Sequence, residues 1–478
     1  MPYQVPAHNI PVPLTPKRGA KRSIAHSAAL GLVWVTVASG AFVFAEPAPI
    51  DALTAALFVL LPAAGLVSWH RPVIGGFVLW LLIAAFGFLS ASFAHVPAEA
   101  ATHAAVTLYL SAACFLFAAF VAKKPGLHTR LILNAMLAAS VLAAALGIAG
   151  YLDLFPEAGE LFTKYGRAAG PFKDPNVYGP FLIAGLLTSL HLWLTRPIAR
   201  GFGPLLLAVI LTIGILFSFS RGAWAAALIA LAIYGYLYLG TAKRNVERLK
   251  LSALVLLGTS AIGLVVGVSL QSDSVARFLE ERAALTQDYD EGPEGRFGGQ
   301  EKAFALILEN PLGIGSHQFS PQFHHEEPHN VYLSMLLNTG WLGGGLYFII
   351  AVATLALGFG HALKTTKTQH LFFVVYASLA ANILEGALID TDHWRHMYLL
   401  MGCVWGLMAG DSRRIRTARI VADHRPFLMQ QLVLVPPARR QGRIVGRVRE
   451  SRSRRPALTL VTSPTAVQRL PRILANLR

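Results

Sequence analysis

Apolar segments recur along this chain at intervals that match the thickness of a membrane. Runs of about 17–23 mainly apolar residues, the length that crosses a hydrocarbon core as a helix, alternate with short polar connections. The tenth run is long and interrupted by glycines, which indicates an interfacial helix followed by a span. The pattern predicts an all-α polytopic integral membrane protein with about twelve transmembrane helices. The runs cover approximately residues 25–45, 52–69, 73–94, 102–122, 131–151, 177–195, 203–219, 222–240, 251–270, 331–360, 371–389 and 394–410.

Composition agrees with this class, and the distribution of charge sets an orientation. The chain is 54% hydrophobic and 14% charged, with a mean hydropathy of +0.52, which excludes an ordinary soluble globular protein. Lys and Arg concentrate in the N-terminal tail, in alternate short loops and in the C-terminal tail. By the positive-inside rule, these segments and both termini are predicted to be cytoplasmic. The net charge of +16 is therefore mainly a consequence of topology rather than a sign of nucleic acid binding.

The predicted organisation is one membrane domain, residues 25–410, between two cytoplasmic tails. The N-terminal tail, residues 1–24, leads into a run without a convincing cleavage site, which we interpret as a signal anchor. The arginine-rich tail, residues 411–478, is expected to be mobile and attracted to anionic headgroups, with RNA binding as the alternative. Two outer segments can hold a site, at about 152–176 and about 271–329. Cys114 and Cys403 fall inside predicted spans, so no disulfide framework is expected.

The segment Pro328-His329-Asn330 lies where the larger outer loop re-enters the membrane, nine residues before Gly340-Trp341-Leu342-Gly343. A histidine titrates near neutral pH, and glycines let a helix bend or pack closely. His329 could be a general base for a hydroxyl, or an interfacial histidine with no chemistry. A third alternative is a metal site shared with other outer-loop residues, although their spacing matches no established ligand pattern. Those residues are His324, His325, Glu326, Glu327, Asp390, Asp392, His393 and His396.

Basic residues on the same outer face are candidates for binding an anion. Arg221 lies in the very short connection between two spans, and Arg296 precedes a helix-like stretch. Both lie near predicted helix starts, where backbone N–H groups and guanidinium groups favour phosphate oxygens. Arg167 and Lys173 lie on either side of a Gly-Pro turn and could add a third group of positive charges to the anion-binding site. The alternatives are interfacial anchoring for Arg221, a salt bridge for Arg296, and simple helix capping by the turn through Asn176.

Together these motifs resemble the bacterial O-antigen ligase family, whose wider superfamily includes O-antigen and exopolysaccharide polymerases. The resemblance covers residues 25–410 in layout and residues 166–345 in specific motifs, and it leaves out both tails. It rests on His329-Asn330 with Gly340-x-x-Gly343, Ser-Arg-Gly at 220–222, Gly-x-Phe-x-x-Pro-Asn at 170–176, and Arg296 with Pro311-x-Gly313-x-Gly315.

The resemblance implies a metal-independent, inverting glycosyl transfer on the periplasmic face of the bacterial inner membrane, with no cofactor. A glycan would move as a block from undecaprenyl diphosphate to a sugar hydroxyl of lipid A–core. His329 would be the general base, and Arg221 and Arg296 would stabilise the leaving diphosphate. No Walker-type sequence occurs, as expected for a donor that carries its own activation. Contacts with substrate would come from Arg167, Lys173, Asn330, Gly340 and Gly343.

Three alternatives remain open at this stage. A polymerase would use the same chemistry and differ in its acceptor. A transporter or flippase of a lipid-linked or anionic solute is less favoured, because Glu385 is the main ionisable residue inside a predicted span and transport pathways usually contain several. A passive component of a polysaccharide assembly complex would use the outer loop only for docking.

Overall fold

The computed structural model describes residues 18–241, 245–253 and 292–413. Within these ranges the chain is almost entirely helical, and its two short strands form one antiparallel hairpin, with Thr163 opposite Ala168. The strands are β1 (Thr163–Lys164) and β2 (Arg167–Ala168). The helices are α1 (Arg18–Ala38), α2 (Pro49–Ala63), α3 (Arg71–Ala91), α4 (Pro97–Lys123), α5 (Pro125–Tyr151), α6 (Ala158–Phe162), α7 (Pro175–Thr195), α8 (Phe202–Phe217), α9 (Arg221–Thr241), α10 (245–253), α11 (Arg296–Glu309), α12 (Phe319–Gln322), α13 (Val331–Ala362), α14 (Gln369–Glu385) and α15 (395–413).

Seven of the described helices are long and apolar enough to cross a membrane, and this confirms the predicted all-α polytopic class. They are the helices α1, α3, α4, α5, α7, α9 and α13. Helices α2 and α8, at two further predicted spans, are apolar but have only 15 and 16 residues. The predicted span 251–270 and the first part of the loop 271–329 lie mostly outside the described residues, as does the basic tail after residue 413.

Helix α2 ends earlier than the hydrophobic run predicted, at Ala63 rather than near residue 69. Gly65 adopts a left-handed conformation with φ of +66°, and the N–H of Leu66 donates back to the carbonyl of Leu61. This pattern terminates helices. The extended segment that follows is held by a hydrogen bond of 2.8 Å from Ser68 N–H to Ala119 O on α4. The predicted apolar run 52–69 therefore contains the end of a helix, and this end depends on the left-handed conformation of Gly65.

Helix α13 bends where the sequence predicted a glycine interruption. Gly340 has φ of +68° and ψ of −177°, so the helix consists of two segments on either side of it. The N–H of Trp341 donates to Pro311 O at 2.9 Å, and the N–H of Ile314 donates to Leu337 O at 2.8 Å. The loop after α11 therefore packs directly against the bend.

The helices share one large apolar core, except that α11 packs on α13 through a separate small cluster formed by Ala303, Ile307 and Leu337. Helix α3 lies between α4 and α13, α7 packs on α5 and α8, and α14 packs on α9 and α7. Cys114 and Cys403 are buried and both are free thiols, in agreement with the prediction of no disulfide between them. Because α14 ends beside the start of both α9 and α13, it brings distant parts of the sequence together.

Candidate functional site

His329 lies on a sharp turn immediately before α13. Its φ is +51°, a left-handed conformation, and 38% of its side chain is exposed. Nε2 lies 3.2 Å from Oε2 of Glu326. Helix α11 holds the turn from the other side, because Arg296 Nη2 donates to the carbonyl of His329 at 3.3 Å and Gln300 Nε2 donates to that of Pro328 at 3.2 Å. The ring is therefore accessible and is fixed by a carboxylate.

Asn330 caps the helix that follows. Its Oδ1 accepts from the N–H groups of Tyr332 at 3.1 Å and Leu333 at 3.4 Å, which satisfies two of the four free donors at a helix start. The N–H of Val331 donates to the carbonyl of Gly386 at 2.8 Å, at the end of α14. The structure thus gives Asn330 a capping role, and its predicted contact with substrate stays a prediction.

The turn before α9 places Arg221 near the same end of α14. Ser220 Oγ accepts from the N–H of Ala223 at 3.3 Å, so Arg221 is the first residue of the helix, as the sequence predicted. A Cβ added to Gly222 would lie 3.0 Å from Oε1 of Glu385, the last residue of α14. Since Gly386 contacts Val331, the Ser-Arg-Gly turn and the His329 turn meet across the end of α14. The structure therefore brings Arg221, Arg296 and His329 into one region.

Arg167 and Lys173 lie on the same outer segment and contact different neighbours. Arg167 Nε donates to Ser218 O at 2.7 Å, and its Nη2 donates to Asn176 Oδ1 at 2.8 Å, which ties β2 to the turn before α9. Lys173 lies 3.7 Å from Glu46, and both side chains are about half exposed. Arg167 thus supports the Arg221 turn, whereas Lys173 faces a cavity beside it.

That cavity, of about 350 Å³, is lined by the loop after α14 and by the turn around Lys173. Among its lining residues are Lys173, Asp390, Trp394 and Arg395. The charge of Arg395 is matched by Asp51, with Nε–Oδ1 and Nη2–Oδ2 distances of 2.8 Å each. The cavity therefore combines a carboxyl, an aromatic ring and a lysine, which suits a polar, sugar-sized group.

Asp390 links this cavity to the histidine turn. Its Oδ1 accepts from Ser334 Oγ at 2.5 Å, one helical turn after Asn330. Burial, together with the neighbouring charge of Asp392, raises the pKa of Asp390, while His329 and Arg296 act in the opposite direction. Asp390 is thus within electrostatic reach of both predicted functional residues, a proximity that the sequence left undecided.

A cluster of titratable residues joins α4 to the loop after α14. His103 on α4 has Nε2 at 3.1 Å from Asp392 Oδ2, and its ring stacks on that of His393 with centroids 3.9 Å apart. Although burial opposes it, the hydrogen bond from His103 and the charge of His393 hold the pKa of Asp392 well below its usual range. Burial lowers the pKa of His393 to about 4. We call these three residues the His103 cluster.

Among the described residues, the structure contains two separate groups of side chains that could bind a metal ion. The ligand atoms of the His103 cluster lie within 4.8 Å of one another, and so do those of Glu294, His324 and His325. Each group includes one residue, His103 or Glu294, that the sequence alternative did not contain. The donor types suit a transition metal such as zinc. The metal-free mechanism stays a prediction that an experiment must test.

Gly340 and Gly343 are positioned by packing. A Cβ at Gly340 would lie 2.6 Å from Pro311 O, and one at Gly343 would lie 2.4 Å from Thr339 Oγ1 and 3.0 Å from the Cβ of Phe86. The two glycines therefore allow α13 to bend and to approach α3. Their predicted contact with substrate stays a prediction, whereas their structural role is evident.

The arrangement can perform acid–base chemistry on a hydroxyl beside a cationic region. A half-exposed imidazole oriented by Glu326 can accept a proton, and guanidinium groups at the starts of α9 and α11 favour a phosphate. Sequence reasoning missed the orienting role of Glu326 and the meeting of two turns across the end of α14. The first follows from a turn conformation, and the second from tertiary packing, so neither had a local signal.

A comparison with family models gave a match that covers part of the chain. Residues 206–348 match the family model described as O-antigen ligase. The matched range contains Arg221, Arg296 and His329, while Arg167, Lys173 and Asp390 lie outside it. Among curated proteins, no significant match was found.

Proposed function

The chain carries an O-antigen ligase domain at residues 206–348 and belongs to that family, and from this premise we propose a specific reaction for it. The protein transfers a glycan as a block from undecaprenyl diphosphate to a sugar hydroxyl of lipid A–core. It is a multi-pass membrane glycosyltransferase, with its site on the periplasmic face of the inner membrane and both termini in the cytoplasm. An O-antigen or exopolysaccharide polymerase would use the same residues with a different acceptor.

The observation that carries the proposal is the accessible imidazole of His329 between a carboxylate and the start of an arginine-bearing helix. With the proton on Nε2 donated to Glu326 Oε2, the lone pair of Nδ1 is the base. Arg296 donates a hydrogen bond to the backbone carbonyl of His329, so a cationic side chain lies next to the base. A passive docking loop would need neither feature.

The reaction follows from these positions. The acceptor hydroxyl oxygen attacks the anomeric carbon of the donor glycan while Nδ1 of His329 takes the hydroxyl proton. The bond between that carbon and the diphosphate oxygen breaks, and the leaving diphosphate carries the released electron pair. Arg221 and Arg296 stabilise its charge near the membrane surface, where water is scarce. Attack opposite the leaving group inverts the anomeric centre.

The acceptor sugar would enter through the cavity next to Asp390 and Lys173. Asp390 offers a carboxyl that can accept hydrogen bonds from sugar hydroxyls, and Lys173 offers a donor. The cavity adjoins α13 through the Ser334–Asp390 hydrogen bond of 2.5 Å.

A cellular experiment separates the candidate activities. A strain lacking the gene would be complemented with wild type or with His329→Ala, and both lipopolysaccharide and lipid-linked glycans would be analysed. Long polymer retained on undecaprenyl diphosphate together with bare lipid A–core supports the ligase. Loss of long polymer, with single repeats still reaching the acceptor, indicates the polymerase. If neither pool changes, the proposed function is wrong, and solute uptake becomes the assay.

A further inference from the structure

A second cavity lies at the end of the helix bundle opposite to His329. Its volume is about 580 Å³, and it opens between the first turns of α5, the end of α7 and the start of α14. Helix α14 begins there at Gln369 and ends beside the candidate site at Glu385. Its 17 residues span about 25 Å at the rise of an α-helix, so the two cavities are at opposite membrane faces.

The lining of this cavity is strongly basic. Arg130 on α5, Arg196 at the end of α7 and Lys367 before α14 all contribute to it, and none of the described residues that line it is acidic. The three cationic side chains are exposed, and none forms an ion pair with another residue in the described part of the chain. The charge of Glu247 on α10 reaches His370 at the edge of the cavity. The described residues thus leave an excess of positive charge around a cavity.

Buried Lys250 already satisfies the negative end of the neighbouring helix. Its Nζ donates to the carbonyls of Trp193 at 2.9 Å and Arg196 at 2.7 Å, at the C-terminal end of α7. Those carbonyls carry the partial negative charge of the helix dipole. Because Lys250 neutralises them, the side chains of Arg130, Arg196 and Lys367 are available for an external anion.

The remaining lining groups suit a phosphate ester. The hydroxyls of Thr188 and Thr195 donate to the carbonyls of Ala184 and His191, so the side-chain donors that remain near the cations are the amides of Asn134 and Gln369. The start of α14 adds the positive end of a helix, and arginine presents a planar pair of donors that matches phosphate oxygens. Basic pockets between transmembrane helices near a membrane surface bind anionic headgroups. We infer that this cavity binds a phosphate group, supplied by an anionic phospholipid headgroup or by a soluble phosphate.

The test uses the full-length protein purified in detergent. Bound lipid would be quantified by native mass spectrometry after titration with phosphatidylglycerol or phosphatidylcholine, and inorganic phosphate would be added as a competitor. The site variant combines Arg130→Gln, Arg196→Gln and Lys367→Gln. The matched control combines Lys124→Gln, Arg200→Gln and Lys364→Gln, which remove the same charge from positions close in sequence that do not line the cavity.

Each neutralised charge in the cavity should weaken phosphatidylglycerol binding about fivefold, and the site variant about a hundredfold, whereas the control should change little. Lys367→Gln alone, on an exposed loop, should show the single fivefold step if the site variant proves unstable. Competition by millimolar phosphate would identify a site open to soluble phosphate, and its absence would identify a headgroup site. Equal losses in site and control variants, or no preference of wild type for phosphatidylglycerol, would overturn the inference.

Discussion

Gly340 offers the sharpest structural test, because its conformation is accessible to glycine alone. With φ of +68° and ψ of −177°, an alanine there would bear about 1–3 kcal/mol of backbone strain. Its Cβ would also lie 2.6 Å from Pro311 O and 2.7 Å from the carbonyl carbon of Leu312. Relief requires backbone movement and weakens the Trp341–Pro311 hydrogen bond, which contributes about 1 kcal/mol. Gly340→Ala should therefore destabilise the protein by about 2–4 kcal/mol.

The matched control is Gly345→Ala in the same helix, where an added Cβ has no neighbour within 4 Å. That substitution should stabilise the helix by up to about 1 kcal/mol. The midpoints of thermal unfolding of the two purified variants would then differ by about 2–5 °C, because the entropy of unfolding is large for a chain of this length. Gly340→Ala should also lose transfer activity, since the bend orients the segment that begins beside His329. Equal midpoints for the two variants would show that the bend described here is wrong.

Other predictions concern charge, pH and metal. If each arginine binds the diphosphate through two hydrogen bonds, Arg221→Lys and Arg296→Lys should abolish glycan transfer, measured as the product formed. Full activity of the corresponding alanine variants would show that neither arginine takes part in the mechanism. Burial raises the pKa of Glu327 from 4.5 to about 6, so its protonated form contributes stability that is complete below about pH 4.5 and is lost as the pH rises through about 6. Glu327→Gln should therefore raise the melting temperature at pH 8 but not at pH 4.5, and a change equal to that of the exposed control Glu301→Gln would contradict this. Chelation with EDTA should leave transfer unchanged, whereas loss of activity restored by a divalent ion would make the His103 cluster the first candidate metal site.

The membrane helices were predictable because hydrophobic run length is a local property of the sequence. The positions at which those helices end were harder to predict from the sequence. The early end of α2 depends on the left-handed conformation of Gly65, a residue type that often follows a helix end, but the hydrophobic pattern continues past it. The Asn330 cap, in contrast, had a local signal, since an asparagine directly before an apolar run is a typical helix start.

The grouping of the candidate site depends on tertiary structure. Arg221 and His329 are more than a hundred residues apart in the sequence, and they meet because the end of α14 contacts both turns. The orientation of His329 by Glu326 requires a left-handed turn at a histidine, which sequence patterns rarely indicate. The candidate site residues were chosen from the family resemblance, and the structure shows which residues contact them.

The most direct test of the account is glycan transfer by purified protein from an undecaprenyl-diphosphate-linked donor to lipid A–core. The comparison is His329→Ala with His325→Ala, a histidine in the same loop whose side chain is 57% exposed. Loss of a positioned general base typically lowers the rate about 10²–10⁴-fold. The account predicts such a loss for His329→Ala and near-normal transfer for His325→Ala. Substantial transfer by His329→Ala would contradict the assignment of His329 as the base.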